Sequence, residues 1–283
     1  MSTWEVARGA LTVPGVPAAY GYFMDGVAPG LHRGLPSRYL TFLVSLDEPV
    51  GTARTRDDWE RNRLARHDVV LGGLRTDPTY VRQTRRQVGI QLAVHPLAAR
   101  SLFGLPAASL AALTCEGVDV LGDGVRALRE RLHELPTWPR RFAALDEYLW
   151  SRAAGRHASP RPEVTAAWHQ LSHGTVTITE LARNTALSTR QLSALVNREL
   201  GIGPKALARL MRFDRVVAAI GTEVRAGRRP RLAEIAHGCG FSDQSHLVRD
   251  FRRFTGTSPT GFLAEELRNV QAGGHRPGAD SAP

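Results

Sequence analysis

A chain of 283 residues is longer than one small module, since domains run to about 100–150 residues, and two hydrophobic cores are expected. Apolar residues make up 42%, alongside 27 Gly and 17 Pro, which excludes a disordered or fibrous chain and describes an ordinary folded one. A formal net charge of +10 favours polyanionic partners, nucleic acid first among them, although an Arg- and Ala-rich composition with Lys205 as the single Lys also suits a GC-rich genome.

Cys115 and Cys239 are far apart and form no CxxC or Cys/His spacing, so neither a disulfide framework nor a structural zinc is implied and a reducing cytoplasm fits. The opening MSTWEVARGA lacks the basic start and apolar run of a secretory signal, and no stretch nears eighteen uninterrupted apolar residues. The expectation is a cytoplasmic protein without a membrane partner, a cofactor or a metal.

In chain order, 38–46 (RYLTFLVSL) and 87–95 (QVGIQLAVH) read as strands; in the second, Val88, Ile90, Leu92 and Val94 alternate with small or polar residues. From Pro96 the period turns helical, through PLAARSLF, then 124–135 and 140–154, with apolar residues three and four apart. A β-rich part of α+β type, 10–154, is expected to end there. Residues 155–162, within SRAAGRHASPRP, carry no apolar periodicity and read as a linker. Beyond them 163–270 is helical throughout, and 271–283 is a polar tail with little to bury.

The helical part repeats itself. TELARNTALSTRQLSALVNRELGIGP (179–204) aligns with AEIAHGCGFSDQSHLVRDFRRFTGTSP (233–259), with one residue inserted in the second copy after a shared Ser. Glu180 then matches Glu234, Ala182 matches Ala236, Leu192 matches Leu247 and Gly201 matches Gly256. Each copy reads as a short helix, a tight turn and a second helix, giving two helix-turn-helix units at about 178–201 and 232–256, with Ser188 and Ser242 expected as N-caps. Gly201 and Gly256 supply the positive φ that ends each second helix.

At 100° per residue Leu192, Leu195 and Val196 share the inner side of the first unit's second helix, with Glu199 at its margin; Arg190, Ser193, Ala194 and Asn197 face outward. In the second copy Leu247, Phe251 and Phe254 are inner, while Ser245, Arg249, Arg252 and Arg253 are outer and Gln244 leads the helix. Such a face can read a major groove, Arg pairing with guanine and Gln or Asn with adenine. A solvated helix face is the plainer reading of one copy, and the repetition in one register weighs against it. Residues 205–221 between the copies form one amphipathic helix with Leu207, Leu210, Met211, Val217 and Ile220 on a stripe, a rod of about 25 Å that would set the two reading helices roughly one duplex turn apart. Arg228, Arg229 and Arg231, with Arg252 and Arg253, are candidates for phosphate contacts.

These residues resemble the AraC/XylS family of bacterial regulators over about 163–268, most specifically in AEIAHGCGFSDQSHLVRDFRRFTGTSP. The resemblance implies a DNA-binding domain of two helix-turn-helix units joined by a long helix, base reading at Arg190, Ser193 and Ala194 in the first unit and at Gln244, Ser245 and Arg249 in the second, and double-stranded promoter DNA and RNA polymerase as partners. Ala194 departs from the polar or basic residue common there and offers only an apolar contact. The first part is similar to the cupin-like β-barrel sensor domains that precede this domain in some members, which implies a small-molecule effector or homodimer contacts. The competing reading is a metal-binding or catalytic cupin-like protein built on His32, His67 and His95, although their spacing is not that of a metal site. No nucleophile elbow, P-loop or dinucleotide fingerprint is present, so enzyme activity has no support in the sequence.

Overall fold

The computed structural model describes residues 3–111, 114–154, 159–174 and 176–264. Strands β1 (Thr3–Gly9), β2 (Ala18–Asp25), β3 (Gly30–Gly34), β4 (Leu40–Ser45) and β5 (Val50–Ala53) come first. Helix α1 (Arg56–Glu60) precedes β6 (Ala65–His67), β7 (Val69–Gly72), β8 (Thr79–Gln83), β9 (Arg86–Val94) and, later, β10 (Thr114–Glu116). They form a six-stranded sheet in the order β1-β2-β9-β4-β7-β10 and a four-stranded sheet, β3-β8-β5-β6. Each pairing is antiparallel. The expected α+β, barrel-like architecture is present as two antiparallel sheets; among the described residues each strand order is linear and no closed barrel forms.

Alternation along β9 explains its place inside the larger sheet. Val88, Ile90, Leu92 and Val94 are buried, while Gln87 before them and Gln91 among them are half-buried and line a cleft. Phe42 of β4 lies opposite Leu92 of β9 and Leu71 of β7, and its ring meets Phe103 edge-on with centroids 6.0 Å apart. Phe103 closes α2 (Ala99–Phe103), which follows a 3-10 turn at Pro96–Ala98. The PLAARSLF helix is thus broken in two, since His95 caps the 3-10 turn by accepting from the Leu97 amide. Helices α3 (Gly117–Leu121), α4 (Asp123–Glu134) and α5 (Trp138–Ala153) follow, and their buried Val125, Leu128, Leu132, Leu145 and Leu149 join the same core.

Residues 155–158 of the expected linker, and the expected tail at 271–283, lie outside the described residues. Helix α6 (Pro162–His173) opens on a proline at its first position, where a missing N–H costs nothing. Then come α7 (Ile178–Asn184), α8 (Thr189–Leu200), α9 (Pro204–Arg225), α10 (Leu232–Gly238) and α11 (Gln244–Thr255). Among the described residues no helix is long and apolar enough to cross a membrane.

Candidate nucleic-acid interface

The two short-helix, long-helix pairs, α7–α8 and α10–α11, are built alike down to their backbone. In the first, the Ala186 amide donates to Arg183 and that of Leu187 to Ala182; in the second, Gly240 donates to His237 and Phe241 to Ala236. Ala186 and Gly240 hold φ of 54° and 78°, the left-handed conformation that turns the chain between the helices. Ala182 and Ala236, both buried, let the helices of each pair approach.

The caps differ. Ser188 caps α8 in a capping box, its hydroxyl accepting from the Gln191 amide while Gln191 Oε1 accepts from the Ser188 amide at 3.0 Å. In α11 the cap is Asp243, whose carboxylate accepts from the His246 amide at 2.7 Å, and not Ser242 as the alignment predicts. The second turn is one residue longer, so the extra residue falls before the cap rather than after it and displaces Ser242 to a place where its hydroxyl meets His246 Nδ1 at 3.1 Å. The His246 amide, before all else, holds the Asp243 carboxyl below the usual carboxylate range. Its charge also faces the positive end of the α11 dipole.

Both long helices bury one face. Leu192, Leu195, Val196 and Leu200 are buried in α8, as are Leu247, Phe251 and Phe254 in α11. On the opposite side Arg190, Ala194 and Asn197 are exposed and Ser193 half-buried in α8, while Gln244, Ser245, Arg249, Arg252 and Arg253 are exposed in α11. Arg190 and Arg249 therefore point to solvent, which a base-reading role requires. Arg228 and Arg231, though exposed, already serve carboxylates: Arg228 forks onto Glu223 at 2.8 and 2.9 Å, and Arg231 meets Glu234 at 2.8 Å. Arg229 between them is exposed.

Helix α9 fixes the second unit. It runs for 22 residues, beyond the 205–221 predicted, which at about 1.5 Å each is about 33 Å. Its Phe213 ring lies 5.4 Å from Phe251 and 4.6 Å from Phe254, and Arg209 pairs with Asp250 at 2.7 Å. Phe213 and Val216 are buried residues that the predicted stripe omits, and Val217, which it includes, is half-buried. The stripe is wider than predicted because α6, α10 and α11 all pack against α9.

The amino-terminal half grips both units, which the sequence reading did not reveal. Glu199, expected at the margin of α8, is buried, and Arg100 of α2 forks onto it at 2.7 and 2.8 Å. That hydrogen bond raises the Arg100 guanidinium further above its already high ordinary value. Gly201, at φ 79°, sits so close to the chain around Ala108 and Ala111 that a Cβ would lie 2.2 Å from the Ala111 methyl. At the end of α11, buried Arg33 of β3 donates from Nη1 to the Thr255 carbonyl at 3.1 Å, satisfying a terminal acceptor at the negative end of the helix. A carboxylate inside an apolar stripe was the signal for Arg100 and Glu199, because a buried charge demands a partner; nothing in the sequence announced Arg33.

The residues behind the metal reading stay apart. His32 lies in β3, His67 in β6 and His95 just beyond β9, and among the described residues no group of three potential ligands gathers. His95 packs on Trp168 of α6 with ring centroids 4.8 Å apart, and burial pushes its imidazole down to about 4.

Two helix pairs with the same turn, carried on one long helix with their polar faces outward, define a tandem helix-turn-helix module. Residues 181–265 match the family of helix-turn-helix domains. This region is a helix-turn-helix domain of the AraC type. The chain is 32% identical over 87 residues to "Probable transcriptional regulator LumQ" of Photobacterium leiognathi, a match that takes in 31% of this chain and 33% of that protein, about a third of its length. Among solved structures it is similar to the C-terminal domain of AraT, a response regulator from Geobacillus stearothermophilus, with 21% identity over 38% of this chain and 88% of that one and a TM-score of 0.34. ToxT from Vibrio cholerae is similar over 93% of this chain and 98% of that one, with 9% identity and a TM-score of 0.46.

Proposed function

We propose that the protein is a sequence-specific regulator of transcription whose two recognition helices, α8 and α11, enter successive major grooves on one face of promoter DNA. Arg190, Ser193, Ala194 and Asn197 read bases in the first groove, and Gln244, Ser245 and Arg249 in the second. Arg229, Arg252 and Arg253 meet phosphates, as do Arg228 and Arg231 once they exchange their carboxylates for DNA. The observation that carries this reading is the joint exposure of Arg190 and Arg249 on helices whose opposite faces are buried and tied to one long helix. In this reading the part at 10–154 modulates DNA occupancy through an effector or through contacts with a second copy, 155–162 links it to the DNA-binding part at 163–270, and RNA polymerase is the other partner.

Selection of bound fragments from genomic DNA by purified protein tests it. The expected product is a motif with two elements whose centres lie about 10–10.5 base pairs apart. Recovery of random duplex at matched salt would mean a non-specific binder, and a single element would remove one unit from the interface.

A further inference from the structure

The shared register of the two helix-turn-helix units brings out a residue that breaks their likeness. With Leu192 aligned to Leu247 and Val196 to Phe251, Leu195 of α8 falls opposite Asp250 of α11. An apolar side chain on the flank of the first buried stripe is thus a carboxylate on the flank of the second. That carboxylate is held by α9. Arg209 Nη2 donates to Asp250 Oδ1 at 2.7 Å and Arg209 Nε to Oδ2 at 3.4 Å, a fork between side chains that are only 19% and 13% exposed. The same guanidinium lies 5.7 Å over the ring of Phe254, against which Phe213 of α9 stacks.

At 100° per residue Leu247, Phe251 and Phe254 span only about 60° of α11, with Asp250 roughly 70° to one side of their middle and Arg249 almost opposite. Apolar contact along so narrow a stripe is non-directional and leaves a helix free to roll about its axis. A roll of about 20° carries an atom at the outer radius of a helix, about 5–6 Å, through about 2 Å. That exceeds the window within which a bidentate pair keeps both its hydrogen bonds. Two other fastenings of α11 oppose such a roll less. Arg33 holds the Thr255 carbonyl, a backbone atom close to the axis, and Val248 on the far flank offers apolar contact only.

The first unit is fastened differently. Its inward acid, Glu199, occupies the place of Phe254 and is met by Arg100 from the amino-terminal half, whereas Asp250 is met from within the helical part. We propose that Arg209 and Asp250 are positioning residues that set the roll of α11 on α9, and thereby the base that Arg249 meets, in the second unit alone. The roll stands on the geometry of α9 and α11; its consequence for DNA rests on the base-reading function proposed above.

The test uses the full chain and two substitutions that keep the packing: Asp250→Ala, since alanine suits a helix interior, and Arg209→Met, whose unbranched stem still covers Phe254. They shift net charge in opposite directions, so an effect common to both does not come from charge. Selection from random duplex should return the first element of the motif unchanged from both variants. In the second element both should lose preference at the position that Arg249 reads, about tenfold in titrations of matched against mismatched duplex. The double variant Arg209→Asp, Asp250→Arg should recover most of that preference. Nitroxide labels at Lys205→Cys and Arg253→Cys, both exposed positions, in a Cys115→Ala, Cys239→Ala background measure the roll without DNA. Their distance distribution should broaden in each single variant and narrow again in the double one. An unchanged second element, an equal loss in both elements, or a distribution that does not broaden overturns the proposal. Where one single variant fails to fold, the other and the double variant decide. A parent protein that returns no motif overturns the DNA reading and the clause on Arg249 with it, while broadened label distances would still establish the roll.

Discussion

Arg249 and Arg252 stand three residues apart on the exposed side of α11, and their assigned roles differ in a way that substitution separates. A bidentate arginine–guanine pair discriminates by about 1–3 kcal/mol, so Arg249→Ala should cost that much at the cognate site and relax preference at one base position. Arg252→Ala should weaken all duplexes alike and lower the slope of log K against log salt by about 1. If Arg249→Ala behaves in that second way in binding titrations, it holds a phosphate and not a base. His95 gives a prediction in the other half. Its Nδ1 accepts from the Leu97 amide and its ring lies against Trp168, so the folded protein keeps it neutral, near 4 against an ordinary 6.5. The unfolded chain therefore takes up a proton first, and the stability that neutral His95 contributes is present above pH 6.5 and lost as pH falls towards 4. His95→Asn keeps a cap acceptor without titrating, and denaturant unfolding at several pH values should show a flatter acid limb.

The likeness of α7–α8 and α10–α11 was legible in the sequence because it rests on residue types with one local job each: small Ala182 and Ala236 where helices touch, and Gly201 and Gly256 at φ 79° and 73° where they stop. The place of the inserted residue was not legible, since Ser242 and Asp243 are both good N-caps and only the backbone decides between them. Ser242, the better match to Ser188 by alignment, lost to Asp243 because Leu187 and Phe241 close their turns in the same way, leaving two residues rather than one before α11 begins. Thermal unfolding should accordingly show Asp243→Ala well below the parent and Ser242→Ala close to it. The loss from Asp243→Ala should vanish below the carboxyl's own lowered titration range, because a folded-state pKa below the unfolded one stabilises only while the group is charged. A larger loss from Ser242→Ala would return the cap to the aligned serine. The strands fared similarly: alternation located β9 within a residue at each end, whereas closure into a barrel depends on which edges meet, and no local pattern encodes that.

At the scale of the whole molecule, the least legible feature is the contact between the halves, because it pairs residues 99 positions apart at Arg100 and Glu199 and 222 apart at Arg33 and Thr255, and uses side chains that read as ordinary surface charge. Arg100 and Glu199 illustrate the difficulty: Glu199 sits four residues after Leu195 on the inner face of α8, and only the arrival of Arg100 makes it tolerable there. The Glu199 side chain is 9% exposed and that of Arg100 34%, so the pair lies at the rim of the interface. Breaking a fully buried pair costs about 3–5 kcal/mol; with Arg100 partly in water, Arg100→Leu should cost less, about 2–3 kcal/mol, nearly all of it from the stranded Glu199 carboxylate. Glu199→Leu should be milder, since the released guanidinium can turn to solvent. The double substitution should recover much of the loss by replacing the ion pair with apolar contact between α2 and α8. Urea unfolding of the four proteins closes the cycle. A coupling near zero would mean that α8 is held by the packing of Gly201 against Ala108 and Ala111 alone, and that the first helix-turn-helix unit is joined to the amino-terminal half by shape rather than by charge.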